Sequence, residues 1–156
     1  MNSPDRILLA AQGYQELGMY RHALQELALL PRETQEGADS LEIKALSLMG
    51  LRRWDEALPV ANTLRRLRPA EAGGYIHSAY CLHELGRTQE ALDMLVSGPQ
   101  SLRERSIFFY NVACYQARLG QLETALQTLR KSFDLDPSLR KSARRDHDLE
   151  ALWSKF

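Results

Sequence analysis

The chain has 156 residues, 20 Lys plus Arg against 20 Asp plus Glu, 44% hydrophobic and 26% charged residues. That length fits one domain or a short array, the composition is that of a folded chain, and zero net charge leaves no global field to hold a polyanion. Two cysteines cannot build a disulfide framework and no stretch nears the roughly 18 apolar residues of a membrane span, so the expectation is a soluble cytoplasmic protein without membrane or nucleic-acid partners.

Leu, Ala, Glu, Gln and Arg fill the sequence, whereas valine occurs only at 60, 96 and 112 and isoleucine only at 7, 43, 76 and 107. Straight-chain residues lose little rotamer freedom in a helix, and a sheet would need far more β-branched ones. No window alternates apolar and polar residues for long. The expected fold class is all-α.

In chain order, four segments end alike: LGMYRHAL (17–24), LRRWDEAL (51–58), LGRTQEAL (85–92) and LGQLETAL (119–126). Ala23, Ala57, Ala91 and Ala125 recur every 34 residues, as do Leu17, Leu51, Leu85 and Leu119. A second alanine column, Ala11, Ala45, Ala79 and Ala113, lies 12 residues upstream. A fixed period of this length signals stacked supersecondary units. Gly18, Gly86 and Gly120 follow the leucine where a helix stops and take the left-handed position past its end; Arg52 stands there in the second unit. A second helix then carries the Ala-Leu pair. Small residues in both helices let the axes approach closely while leucines fill the remaining space.

The first unit, about 4–37, breaks at Pro31, and the third, 72–105, breaks at Gly98-Pro99, so both should have short second helices. The second unit, 38–71, runs on to Pro69, and the fourth, 106–137, to Pro137. Pro59 falls early in a second helix, where a missing N–H matters least. Gly73-Gly74 opens a helix with no strand before it and so reads as a flexible linker rather than a phosphate loop. The tail, 138–156, should open a further helix at Asp136-Pro137-Ser138. Asp146 or Asp148 should then cap a short helix containing Leu149, Leu152 and Trp153 that closes the array.

On these residues the chain resembles the tetratricopeptide repeat (TPR) family over about 4–137. The period matches, as do the small residue of the first helix, the Leu-Gly turn, the aromatic at Tyr20 and Trp54, the second-helix alanine, and the closing Pro69 and Pro137. Thr88 and Leu122 replace the aromatic in the last two units. The fourth unit and tail look like the terminal repeat of bacterial TPR proteins. The resemblance implies an α-solenoid of four helical hairpins plus a C-terminal capping helix, 1–156 forming a single domain. It further implies a non-enzymatic protein–protein interaction module whose first helices line a concave groove. Leu8 and Gln12 stand where the carboxylate-clamping subgroup has Lys and Asn, so that chaperone-tail function is not implied.

Positions i, i+3, i+7 and i+10 of each first helix form one stripe. In the first unit the groove stripe is Asp5, Leu8, Gln12 and Gln15; in the second, Asp39, Glu42, Leu46 and Met49. The third unit contributes Gly73, Ile76, Tyr80 and His83, and the fourth Ile107, Tyr110, Cys114 and Ala117. The candidate peptide-binding residues are therefore Asp39, Glu42, Leu46, Met49, Ile76, Tyr80, His83, Ile107, Tyr110 and Cys114. Aromatic and Met side chains anchor peptides and the acids attract cations, so the expected partner is a peptide with an apolar anchor and a basic flank. The competing readings are packing of these side chains on the next first helix, a self-assembling homo-oligomer joined around Leu9 and Ala10, and a small secretion-type chaperone.

No GxGxxG, GK[ST], HExxH or CxxC motif occurs, and no residue set supplies nucleophile, base and orienting group together, so neither catalysis nor a cofactor is expected. His77, Cys81 and Cys114 read as packing residues rather than metal ligands, and Asp146-His147-Asp148 as a cap in a solvated turn. The clusters Arg52-Arg53, Arg65-Arg66-Arg68 and Arg144-Arg145 read as a solvated outer face.

Overall fold

The computed structural model describes residues 3–156. Helices α1 (Pro4–Glu16) and α2 (Tyr20–Leu27) form the first hairpin, followed by the short α3 (Arg32–Gln35). Then come α4 (Ala38–Gly50) with α5 (Trp54–Leu67), and α6 (Ala72–Glu84) with α7 (Thr88–Val96). A 3-10 turn, Gln100–Glu104, leads into α8 (Ser106–Arg118) and α9 (Leu122–Leu135). The short α10 (Leu139–Ala143) and a 3-10 segment, His147–Lys155, complete the chain. No strand occurs among the described residues, so the all-α solenoid of four hairpins expected from the period is the fold.

All four hairpin turns are built in one way. Gly18, Gly86 and Gly120 have φ of 73°, 80° and 81°, and Arg52 takes the same left-handed place at 59°. Met19 N donates to Tyr14 O at 2.8 Å, and Arg53, Arg87 and Gln121 do likewise to Leu48, Leu82 and Gln116. These bonds satisfy carbonyls that the end of each helix would leave unpaired. The eight alanines of the two columns, Ala11, Ala23, Ala45, Ala57, Ala79, Ala91, Ala113 and Ala125, all have 0% exposure. They are the points where first and second helices touch.

The proline breaks act as expected. Helix α2 has 8 residues and α7 has 9, whereas α5 and α9 each have 14. Side chains from the inserted segments serve carbonyls after the early stops: Arg103 Nη2 donates to Val96 O, the last residue of α7, at 2.8 Å, and Gln35 Nε2 to Leu30 O, in the loop after α2, at 2.8 Å. Pro59 sits inside α5 without ending it. Gly73 and Gly74 open a helix as expected, but they are not a linker: both lie in the first turn of α6. A Cβ on Gly74 would come within 2.6 Å of the Arg65 backbone, so the missing side chain lets α5 and α6 close together. No helix among the described residues is long and apolar enough to cross a membrane.

Two outcomes follow from this packing. Leu at position 79 is a good helix former but adds three carbons where no space exists, so Ala79→Leu should lower unfolding free energy by about 1–3 kcal/mol in denaturant titration. Arg52→Gly relieves a left-handed backbone and should raise stability by up to about 1 kcal/mol. A drop in midpoint for Arg52→Gly would show that its side chain outweighs its backbone strain.

Candidate functional site

With the alanine columns turned toward the second helices, α1, α4, α6 and α8 present their opposite stripe to a shared concavity. A groove of about 1130 Å³ crosses α1, α4 and α6 to the start of α8. Leu8, Leu46, Ile76 and Ile107 form apolar floor, and Asp39, Glu42, Arg68, Glu71, Glu104 and Arg105 stand around it. The stripe residues Asp39, Glu42, Leu46, Ile76 and Ile107 are thus brought together. The sequence stripe missed Arg68, Glu71, His77, Glu104 and Arg105. They come from helix ends, linkers or the flank of α6, where a first-helix period carries no signal.

The acids expected to be free are engaged by the chain itself. Arg68 Nη2 donates to Asp39 Oδ1 at 3.0 Å and its Nη1 lies 3.6 Å from Glu71. His77 Nε2 donates to Glu42 Oε1 at 2.7 Å. That hydrogen bond is the main reason the Glu42 carboxyl is held below its ordinary range; partial burial opposes it, and the charges of His77, Arg68 and Arg105 add to it. A Cβ on Gly73 would lie 3.2 Å from Glu42 Oε2, so glycine there lets the carboxylate lean over the first turn of α6, where the helix dipole favours negative charge. Even so, five carboxylates, Glu16, Asp39, Glu42, Glu71 and Glu104, face two guanidiniums, Arg68 and Arg105, around the groove.

The C-terminal half of the concavity is filled by the tail. Tyr110 OH donates to Asp146 Oδ2 at 2.8 Å, and the Cys114 thiol points to the same oxygen at 3.7 Å. His83 Nε2 donates to Asp148 Oδ2 at 2.8 Å while its Nδ1 meets Thr88 Oγ1 at 2.9 Å; Arg118 Nε lies 3.6 Å from Asp148. Asp146 Oδ1 accepts from Asp148 N at 3.0 Å and so caps the 3-10 segment, the capping role read from the sequence. Leu149 and Leu152 are buried, Trp153 Nε1 donates to Ala143 O at 2.9 Å, and the Phe156 ring lies 5.5 Å from that of Phe133. Tyr110 and Cys114, at 8% and 3% exposure, are therefore covered, and with His83 they face the chain's own aspartates rather than open groove. Small residues at Cys114 and Ala117, where earlier stripes carry Leu46 and Met49, leave room for the tail; that drop in size was the available signal.

Met49 and Tyr80 lie between the two halves. Met49 packs against the buried cluster of Leu48, Ala57 and Cys81, and the half-exposed Tyr80 ring is 5.5 Å from Trp54. Cys81 is fully buried, and burial pushes its thiol up to about 11. Cys114, Asp146 and Asp148 bring three donor atoms within 4.8 Å of one another, but each already serves the docking of the tail. Burial, reinforced by the two aspartates, raises the Cys114 thiol well above its usual value.

No protein-family profile matches the chain, and no curated protein matches it. Solved structures do. MamA from Desulfovibrio magneticus RS-1, residue 41 to its end, superposes with a TM-score of 0.76 at 19% identity, covering 95% of this chain and 88% of that one. A thermophilic TPR protein of Thermus thermophilus gives 0.73 at 19% identity, covering 98% and 80%. The chain has the TPR-type fold.

Glu42 supplies a pH test. Its folded pKa is depressed, so its contribution to stability is present above its ordinary value of 4.5 and is lost as pH falls through the lower folded value. Glu42→Gln should therefore be less stable than the parent at neutral pH, and the gap in melting temperature should close below pH 4.5. A gap independent of pH would mean that the His77–Glu42 bond carries no ionic part.

Proposed function

We propose that the protein is a non-enzymatic interaction module that holds a peptide segment of another protein in the open, N-terminal half of its groove. The observation that carries this reading is the open groove itself, an apolar floor with an acid-rich border that stops at the docked tail. Leu46, Ile76 and Ile107 receive an apolar side chain; Asp39, Glu42, Glu71 and Glu104 favour a Lys or Arg beside it. Met49 and Tyr80 flank the far edge. His83, Tyr110 and Cys114 act indirectly, by fixing the tail that ends the groove. Because two acids are already paired to Arg68 and His77, they steer a cation more than they bind it. Two buried free cysteines agree with a cytoplasmic setting.

Leu9, Leu17 and Leu29, at 69%, 76% and 66% exposure on the first hairpin, favour self-association as the second reading. Sedimentation of the intact protein separates the two, since a stable oligomer through the first hairpin would support the latter. For the groove, a displayed random-peptide library should enrich sequences with an apolar residue next to Lys or Arg. Ile76→Asp should weaken the selected peptide by about 2 kcal/mol, roughly thirtyfold, with helicity unchanged. No enrichment, or equal affinity in that variant, would put recognition on another surface.

A further inference from the structure

The end of α9 and all of α10 carry charge that the groove does not use. Residues 130–145 hold Arg130, Lys131, Arg140, Lys141, Arg144 and Arg145 against Asp134 and Asp136. With 20 basic and 20 acidic groups in all, the rest of the chain has four more acidic than basic residues. All six cations are exposed, and among the described residues no carboxylate lies within ion-pair distance of any of them. Asp136 is engaged locally: its Oδ1 accepts from Ser138 N at 3.1 Å and Ser138 Oγ at 2.6 Å. The two groups of cations meet at Phe133, for Arg140 Cζ lies 4.9 Å from that ring and Arg130 is one helical turn before it. Six unpaired like charges, two on α9, two on α10 and two in the turn that follows it, repel one another, which costs stability that an anionic partner would recover.

We propose that this surface of α9 and α10 docks an acidic segment, a run of Asp and Glu, of a partner protein. Its extent decides the class of partner. A nucleic-acid duplex needs a longer basic track than six cations in a chain that is net acidic elsewhere, whereas a short acidic segment matches their number. Nor does the patch offer a stacking face for bases: Phe133 is buried beneath Arg140, and Lys131 Nζ lies 5.9 Å over the half-buried Phe109. The surface lies on the second-helix side of the last hairpin, so its occupation is independent of the groove.

Fluorescence anisotropy of a labelled oligo-glutamate peptide with the intact protein, at about 0.15 M ionic strength, tests this directly. Binding is expected, and it should weaken by about tenfold or more when Lys141, Arg144 and Arg145 are all changed to Glu. Reversing two remote arginines, Arg6→Glu with Arg21→Glu, should leave affinity nearly unchanged, which separates a local patch from net charge. Should circular dichroism show the triple reversal unfolded, the triple change to Gln serves instead, with a smaller loss expected. Absent binding, equal affinity in the triple variants, an equal loss in the remote pair, or tighter binding of a labelled oligonucleotide or of phosphatidylserine vesicles would each overturn the proposal.

Discussion

Everything in this molecule depends on how closely a first and a second helix can approach at the paired alanines. Each column residue is completely excluded from solvent. A methyl group at both crossing points lets the helices pack with backbone almost against backbone, and the leucines then seal the sides. Because the spacing repeats every 34 residues, the same crossing recurs and the hairpins stack in one direction. The concave stripe is a by-product of that geometry: what points away from the alanines must line the inside of the curve.

The fold was legible in the sequence because its determinants are local and periodic. Leu-Gly turns, alanine columns and proline breaks each act within a few residues, and the structure places them as read, down to Arg52 standing in for glycine. Gly73-Gly74 was misread because a glycine pair looks the same whether it frees the backbone or lets another helix come near; only the position of α5 distinguishes the two. The candidate site was half legible. Stripe periodicity found Asp39, Glu42, Leu46, Ile76 and Ile107, but it could not see that residues 146 and 148 return to Tyr110 and His83. Contacts 36 and 65 positions apart leave no trace in a 34-residue pattern.

Within the concavity, four aspartate and glutamate side chains near the apolar floor or the docked tail come with a partner. Asp39 is met by Arg68, Glu42 by His77, Asp148 by His83, and Asp146 by a hydroxyl and a backbone amide. Half-buried carboxylates without such donors would lose hydration with nothing to offset the loss. On the outside of the last hairpin, by contrast, like charges gather without ion-pair partners, where water weakens their repulsion without removing it.

The bond from His83 to Asp148 reaches from the third hairpin to the last residues of the chain. Adjacent units of a solenoid hold each other only through their shared faces, so an array frays from whichever end is tied least. Here one end is clasped across two hairpins, while the first hairpin pairs α1 with an α2 of only eight residues and exposes three leucines. Opening is thus polar along the chain: amide hydrogen exchange would be fastest in α1 and α2 and slowest in α8. A ligand lying across α1, α4 and α6 would bridge the loose end to the firm one, and its presence would be felt most in the hairpin that opens first.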